Sequence, residues 1–231
     1  MSNKNQLPQH LAIMIDGNRR WARQKGLPDY KGHEAGIKRV LDIIDYAYQK
    51  RIKVLTLYGF STENWKRSPE EVNHLMQIFI TVLEKCSPIF YKKKIQFRHL
   101  GKLDGLPKKL QKIMILAQRK TRRHKKMILN IAINYGGRDE MVRAVQGIIK
   151  EKIPAEKITE QVVMDHLDTK GLPDVDLVIR TSGVMRLSNF LPLQSTYAEL
   201  YFPKIYWPDF TRHQFDLALQ EFQKRQRRFG K

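Results

Sequence analysis

Cysteine is nearly absent from this 231-residue chain. The single Cys86 excludes a disulfide within the chain and an all-cysteine zinc site, and its apolar helical setting points to inert packing. No apolar run approaches the roughly 20 residues that a membrane span needs. No low-complexity tract, internal repeat or Gly/Ser linker appears. The N-terminus lacks a positive-then-apolar leader with a small-residue cleavage site, so a cytoplasmic location is expected. A Walker-type phosphate loop, a G-x-G-x-x-G fingerprint and a G-x-S-x-G elbow are all missing, which argues against nucleotide hydrolases, dinucleotide oxidoreductases and serine hydrolases. Acidic residues are scarce: 23 Asp and Glu stand against 43 Lys and Arg, a formal charge of +20. Such an excess draws a protein toward nucleic acid, acidic lipid head groups or phosphorylated substrates. Aromatics are missing from the densest basic stretches, Lys92-Lys93-Lys94 and Lys102 to Lys126, where a single-strand binder would interleave stacking rings. Nucleic acid is therefore not an expected partner. A solvated helix face accounts for most of these cations, and peripheral contact with the inner face of an anionic membrane comes second.

What is present is ordinary for a globular chain: 42% hydrophobic and 10% aromatic residues, enough for one domain over residues 1–231. Apolar runs read as strands near Leu11–Ile15, Lys53–Phe60, Ile95–Leu100, Met127–Asn134, Val175–Ile179 and Tyr197–Tyr201. Helical periodicity separates them: Arg19–Gly26, a longer helix opened by Gly32-His33, one from Pro69, then Leu106–His124, Asp139 to about Lys150, Thr159–Leu167, and a last one after Trp207-Pro-Asp209. This alternation predicts an α/β fold with a mostly parallel central sheet of about six strands, covered by helices on both faces.

The polar residues cluster where strands end. Leu11-Ala-Ile-Met-Ile15 runs into Asp16-Gly17-Asn18, then Arg19, Arg20 and Trp21. A carboxylate beside helix-start N–H groups and paired arginines suits a magnesium-bound phosphate or diphosphate; an Asp/Asn turn closing a core strand fits the same residues. Ser61, Glu63, Asn64, Trp65 and Arg67 crowd one loop, more polar groups than capping alone requires. Arg180, Ser182, Arg186 and Ser188 follow the fifth strand with no acidic partner in their loop, and two guanidinium forks suit a diphosphate. His33 reads equally as a phosphate donor or as a packing histidine. Glu199, between apolar neighbours, requires an arginine or a metal.

Asp16-Gly-Asn-Arg-Arg-Trp21, Gly32-His33, Tyr58-Gly-Phe-Ser-Thr-Glu-Asn-Trp65 with Arg67, Asn130-Ile-Ala-Ile-Asn-Tyr-Gly-Gly-Arg138, Ile179-Arg-Thr-Ser-Gly183, Arg186-Leu-Ser-Asn-Phe190, Tyr197-Ala-Glu-Leu200, Trp207-Pro-Asp-Phe210 and Arg227-Arg-Phe-Gly230 occur in order. From about Leu11 to Gly230 the chain closely resembles the cis-prenyltransferase family, typified by undecaprenyl diphosphate synthase. The resemblance implies a homodimer with a hydrophobic tunnel beneath a diphosphate-binding rim. It implies Mg2+-dependent condensation of isopentenyl diphosphate with an allylic diphosphate such as farnesyl diphosphate, with undecaprenyl diphosphate as the expected product. Carried over, Asp16 would bind Mg2+ and assist departure of the allylic diphosphate, and Glu199 would complete the metal site. Gly17, Asn18, Arg19 and Arg20 would cradle that diphosphate beside Trp21 and His33. Ser61, Thr62, Glu63, Asn64, Trp65 and Arg67 would shape the reacting centre, Asn64 aiding proton removal. Arg180, Arg186, Leu187 and Ser188 would hold the isopentenyl diphosphate.

Several positions depart from the family's pattern. Asp29 stands where an arginine is usual, Val184 where a glutamate is, and Leu191-Pro192-Leu193-Gln194 where an apolar-Trp-Gln run is. Ile133 is bulkier than the usual small residue, and facing the tunnel it would shorten the product. The competing readings are a short-chain or irregular, lavandulyl-type synthase, a non-catalytic family partner subunit, and a basic nucleic-acid-binding protein.

Overall fold

The strand ahead of Asp16 sits at the heart of the sheet because nothing in it needs water. In the computed structural model, which describes residues 7–225, β1 (His10–Met14) is buried along its whole length. Its neighbours are β2 (Val54–Ser61) and β5 (Leu177–Arg180), both parallel to it. With β3 (Ile95–Leu100), β4 (Met127–Tyr135) and β6 (Glu199–Tyr201) they form one six-stranded parallel sheet in the order β3-β4-β2-β1-β5-β6. The chain leaves β1 toward β2 on one side and leaves β5 toward β6 on the other. The gap between the ends of β1 and β5 is therefore the topological switch point, where open α/β sheets place ligands.

Alternation along β1 divides the core. Leu11 and Ile13 face a large apolar cluster built with α2 (Asp29–Gln49), α3 (Pro69–Lys92), α4 (Lys108–Thr121) and α7 (Arg212–Lys224). Ala12 and Met14 face a smaller cluster closed by Phe190 and Leu191. Helix α1 (Asn18–Gln24) crosses the start of α2, α5 (Gly137–Lys150) is tied to the end of β4 by the Tyr135 hydroxyl donating to Glu140 at 2.7 Å, and α6 (Glu160–Met164) follows. Cys86 is packed in the large cluster, and burial pushes its thiol up to about 11, which keeps it unreactive.

Most expected elements are present, with shifted ends. Helix α2 starts at Asp29 rather than at Gly32, because Pro28 takes the N-cap position and Asp29 places an anion in the first turn. The loop expected from Ser61 is a 3-10 turn, Thr62–Lys66, closed by a capping box between Ser61 and Asn64. The Arg227–Gly230 motif lies outside the described residues.

His10 adds a polar joint inside this core. Its Nδ1–H donates to the Pro173 carbonyl at 2.8 Å, so its Nε2 accepts from the Thr56 hydroxyl at 2.7 Å. Burial lowers its pKa from 6.5 to about 4. The unfolded chain then binds the extra proton first, so this joint stabilises fully above pH 6.5 and loses its contribution as pH falls from 6.5 toward 4. Urea unfolding at a series of pH values should show stability falling across that window, by up to about 3 kcal/mol from His10. His10→Gln should show a shallower fall.

Candidate active site

The switch point holds an ion-paired centre. Met14 and Arg180 are register partners, which brings the guanidinium of Arg180 to Asp16: Nη2 donates to Oδ2 at 3.0 Å and Nε at 3.3 Å. Arg20, one helical turn on, donates to Asp16 Oδ1 at 3.1 Å and to the Ser182 hydroxyl at 2.6 Å. The Asp16 backbone is pinned as well, its carbonyl accepting from the Thr181 hydroxyl at 2.7 Å and from Trp207 N–H at 3.0 Å. Gly17 makes the turn possible: its φ is +101°, and a Cβ there would stand 2.6 Å from the Tyr206 ring. Burial alone would raise the Asp16 pKa. The hydrogen bond and charge of Arg180, then Arg20 and the Ser182 hydroxyl, bring it below the usual carboxylate range.

A second carboxylate row lies beside the first. Asp29 binds Arg19 at 2.8 Å and grips Arg23 through both oxygens at 2.8 Å. Glu71 on α3 pairs with Arg67 at 2.9 Å and with Arg19 at 3.2 Å. His33 is buried beside them, with Nε2 3.7 Å from Glu71 and no hydrogen-bond partner for that nitrogen among the described residues. Burial, then the charge of Arg67, lowers its pKa to about 4, so it is neutral at pH 7 and able to donate or accept. The arginines are thus held in place before any ligand arrives, a preorganised donor set.

The two remaining loops are laced together through Asn189. Its Nδ2 donates to Glu63 at 2.9 Å, its Oδ1 accepts from Arg138 N–H at 2.9 Å, and its carbonyl accepts from Gly137 N–H at 2.8 Å. Gly136 and Gly137 allow this approach: a Cβ on Gly136 would lie 2.6 Å from the Thr62 hydroxyl, and one on Gly137 2.2 Å from Pro192. Ser188, Asn189 and Leu191 all hold positive φ, a strained path set by these bonds and by Arg180, which donates to Ser188 Oγ at 2.7 Å and to the Arg186 carbonyl.

These groups line one mouth of a cavity of about 770 Å³, whose further walls are Ile37, Val40, Phe60, Leu75, Ile78 and Phe79. A charged mouth thus opens on an apolar interior. Of the residues singled out in the sequence, Asp16, Gly17, Asn18, Arg19, Arg20, His33, Ser61, Glu63, Asn64, Arg67, Arg180 and Ser188 line it. Trp21, Thr62, Trp65, Arg186 and Leu187 do not. Trp65 donates to Asn134 at 2.8 Å, Leu187 packs in the smaller core cluster, and Arg186 is exposed, contributing its carbonyl to Arg180. Ile133 is fully buried in the large cluster and is not among the residues lining the cavity, so the condition under which it would shorten a product does not hold here.

Glu199, which the resemblance placed at the metal site, stands apart from Asp16 in this chain. It pairs in register with Leu177 and so with Leu11, roughly 16 Å of strand away from Asp16 at 3.3 Å per residue. Its carboxylate is held by Arg225 at 3.0 Å. The partner it needs is therefore an arginine, and within this chain it adds nothing to a metal site at Asp16. Sequence reasoning missed Glu71 and the bridging role of Asp29, and it passed over Tyr58 and Asn189 as lining groups; Arg23, a cation near enough in sequence to compensate Asp29, pairs with it and lines the cavity too. Asn189 alone carried a signal, as the carboxamide following Ser188 in an arginine-rich loop.

The family model described as "Putative undecaprenyl diphosphate synthase" matches residues 13–230. The chain belongs to this prenyltransferase family. An isoprenyl transferase of Thermotoga maritima is 45% identical, covering 97% of each chain. A ditrans,polycis-undecaprenyl-diphosphate synthase ((2E,6E)-farnesyl-diphosphate specific) of Legionella pneumophila is 43% identical over 98% of this chain and 97% of its own. Among solved structures, lavandulyl diphosphate synthase from Lavandula x intermedia, in complex with dimethylallyl diphosphate, superposes with a TM-score of 0.93 at 34% identity, covering 97% of this chain and 99% of that one. Asp29 occupies Arg19 and Arg23, so an anion entering this mouth has to compete with its carboxylate. Asp29→Asn should therefore bind inorganic pyrophosphate several-fold more tightly in calorimetry at low salt, the gain shrinking as added salt screens it.

Proposed function

We propose that this prenyltransferase condenses isopentenyl diphosphate with an allylic diphosphate, farnesyl diphosphate as the first candidate, to give a polyprenyl diphosphate. The observation that carries the reading is the Asp16–Arg180–Arg20 centre at the mouth of an apolar cavity. As the allylic C–O bond breaks, negative charge gathers on the departing diphosphate, and Arg19, Arg20 and Arg180 are positioned to stabilise it. The apolar walls from Ile37, Val40, Leu75, Ile78 and Phe79 would exclude water from the allylic cation and take up the chain at about 0.8 kcal/mol per buried CH2. Arg180, which reaches both Asp16 and Ser188, would then stand between the two diphosphates, and with Ser188 it is proposed for the second one, Arg186 joining them where its exposed side chain turns in. Asn64 is better suited to orientation than to taking a proton: its Oδ1 already accepts from Ser61 N–H at 3.1 Å, and an amide is no base near neutral pH.

The donor set fits Mg2+. Two guanidiniums occupy part of the acceptor capacity of Asp16, a hard oxygen donor, and Mg2+ is commonly held by one or two carboxylates together with substrate phosphates. When bound there it would supply Lewis-acid stabilisation of the leaving diphosphate. No cluster of three or more His, Cys, Asp or Glu side chains that would hold a metal by itself occurs among the described residues, which agrees with a site completed by substrate.

The reading extends to assembly and length. Met141, Val142, Val145 and Ile149 form an exposed apolar stripe on α5, which supports a homodimer over that face. Residues 1–231 are read as a single catalytic domain, and no described helix is long and apolar enough to cross a membrane. The likeness to lavandulyl diphosphate synthase favours a short-chain product as the second reading.

Purified protein with Mg2+, labelled isopentenyl diphosphate and a panel of allylic diphosphates tests both. Elongated products are expected, their length choosing between the two readings, and the absence of transfer with every primer would refute the assignment. Asp16→Ala should lower turnover by at least about 10²–10³-fold while circular dichroism stays native. In sedimentation, Val145→Asp with Ile149→Asp should shift the protein to monomer.

A further inference from the structure

Between Asp104 and Asp139 the chain has no acidic residue, while nine lysines and arginines fall between Lys108 and Lys126, all exposed. Helix α4 turns Leu110, Met114, Ala117 and Thr121 inward. At 3.6 residues per turn, Lys108, Lys112 and Arg119 then mark the centre of its outward face, with Ile115 and Leu116 on either side. These two aliphatics are each 49% exposed. The end of α3 continues the surface: Tyr91 stands 5.3 Å from the His124 ring, and Ile89 and Tyr91 are exposed. Among the described residues, only Lys109 of the nine has a recorded ion pair, with Glu84 at 2.9 Å.

We propose that the outward face of α4, together with the end of α3, docks this protein on an anionic lipid bilayer. The positive field selects a polyanion, at about a fivefold gain in partition for each lysine or arginine near the surface. The choice among polyanions rests on Ile115 and Leu116. Phosphate contacts on a nucleic acid leave two half-exposed aliphatics amid the cations without a role, and α4 offers no ring for a base to stack on. At a headgroup boundary both features are used: cations meet lipid phosphates while the aliphatics enter the acyl margin. The apolar side of α4 is committed to the core, so the contact is shallow, reversible and sensitive to salt.

Placement in the fold agrees with this. Helices α3 and α4 run from the carboxyl ends of strands back to strand starts, so Ile89, Tyr91 and the Arg119–Lys126 cluster lie at the edge opposite Asp16. The diphosphate mouth then stays in water, while α3, which walls the cavity with Leu75, Ile78 and Phe79, runs toward the docked edge. The inference needs only this surface. Given the polyprenyl product proposed above, it would hold the enzyme at the phase into which that product partitions.

Co-sedimentation of the full chain with vesicles of phosphatidylcholine, with or without about 30% phosphatidylglycerol, tests it without any turnover. Binding to the anionic vesicles is expected, declining as salt rises from about 0.1 M to about 0.5 M. Arg119→Glu with Arg122→Glu and Arg123→Glu should lose at least tenfold in partition. Ile115→Ser with Leu116→Ser should lose several-fold and leave a residue of binding abolished by salt. Both variants should keep wild-type turnover in detergent, which separates this outcome from failure of the catalytic reading. Lys150→Glu with Lys152→Glu and Lys157→Glu, an equal charge change on another exposed surface, should bind as the wild type does. Equal loss in that control, equal binding to neutral vesicles, or tight duplex RNA binding indifferent to Ile115 and Leu116 would overturn the proposal.

Discussion

The ion pair between Asp16 and Arg180 is the constraint on which the site depends. It joins the ends of two central strands, β1 and β5, where the sheet's connections diverge. Arg180 is almost wholly buried, and an unpaired guanidinium there would be costly, so the carboxylate is as much a structural requirement as a chemical one. Once Asp16 is fixed, Gly17 turns the chain, α1 begins, and Arg20 reaches back to the same carboxylate.

Around that pair the mouth solves a problem common to diphosphate sites. Five arginines within one cavity would repel one another and splay into solvent. Asp16, Asp29 and Glu71 each bridge two of them, and Glu63 is taken up by Asn189. The result is an ordered donor array with only a small net positive charge. The family's usual arginine at position 29 would leave that array more cationic; here Asp29 trades field strength for order.

Which parts of this were legible from the sequence follows from range. The order of strands, the gathering of polar residues at strand ends and the apolar helix faces are local patterns, and Asp16, Ser61, Asn64 and Arg180 were found through them. Pairings between distant segments were not legible in the same way. Glu199, an isolated carboxylate, asked for an arginine or a metal; the metal role came from the family resemblance, and only the folded chain shows the arginine, Arg225. Ile133 drew notice for its bulk, and strand alternation alone does not say whether a side chain in the large cluster also borders the cavity; Ile133 shares that cluster with Phe60 and Leu75 without lining the space. Glu71 sat in a helix start where a dipole-favoured anion needs no further explanation, which hid its hold on Arg67 and Arg19. Arg186 carried the right chemistry for a diphosphate, but its side chain is exposed and it meets the site through its carbonyl, which accepts from Arg180.

Under the proposed function, Asp16 and Arg180 would act as one unit in binding and ionising the allylic diphosphate. A double-mutant cycle with Asp16→Ala, Arg180→Ala and the double variant, read as affinity for a non-ionising allylic thiolodiphosphate in the presence of Mg2+, measures that coupling. Strong non-additivity, of about 1 kcal/mol or more, is expected. Losses that simply add, within about 0.5 kcal/mol, would contradict it.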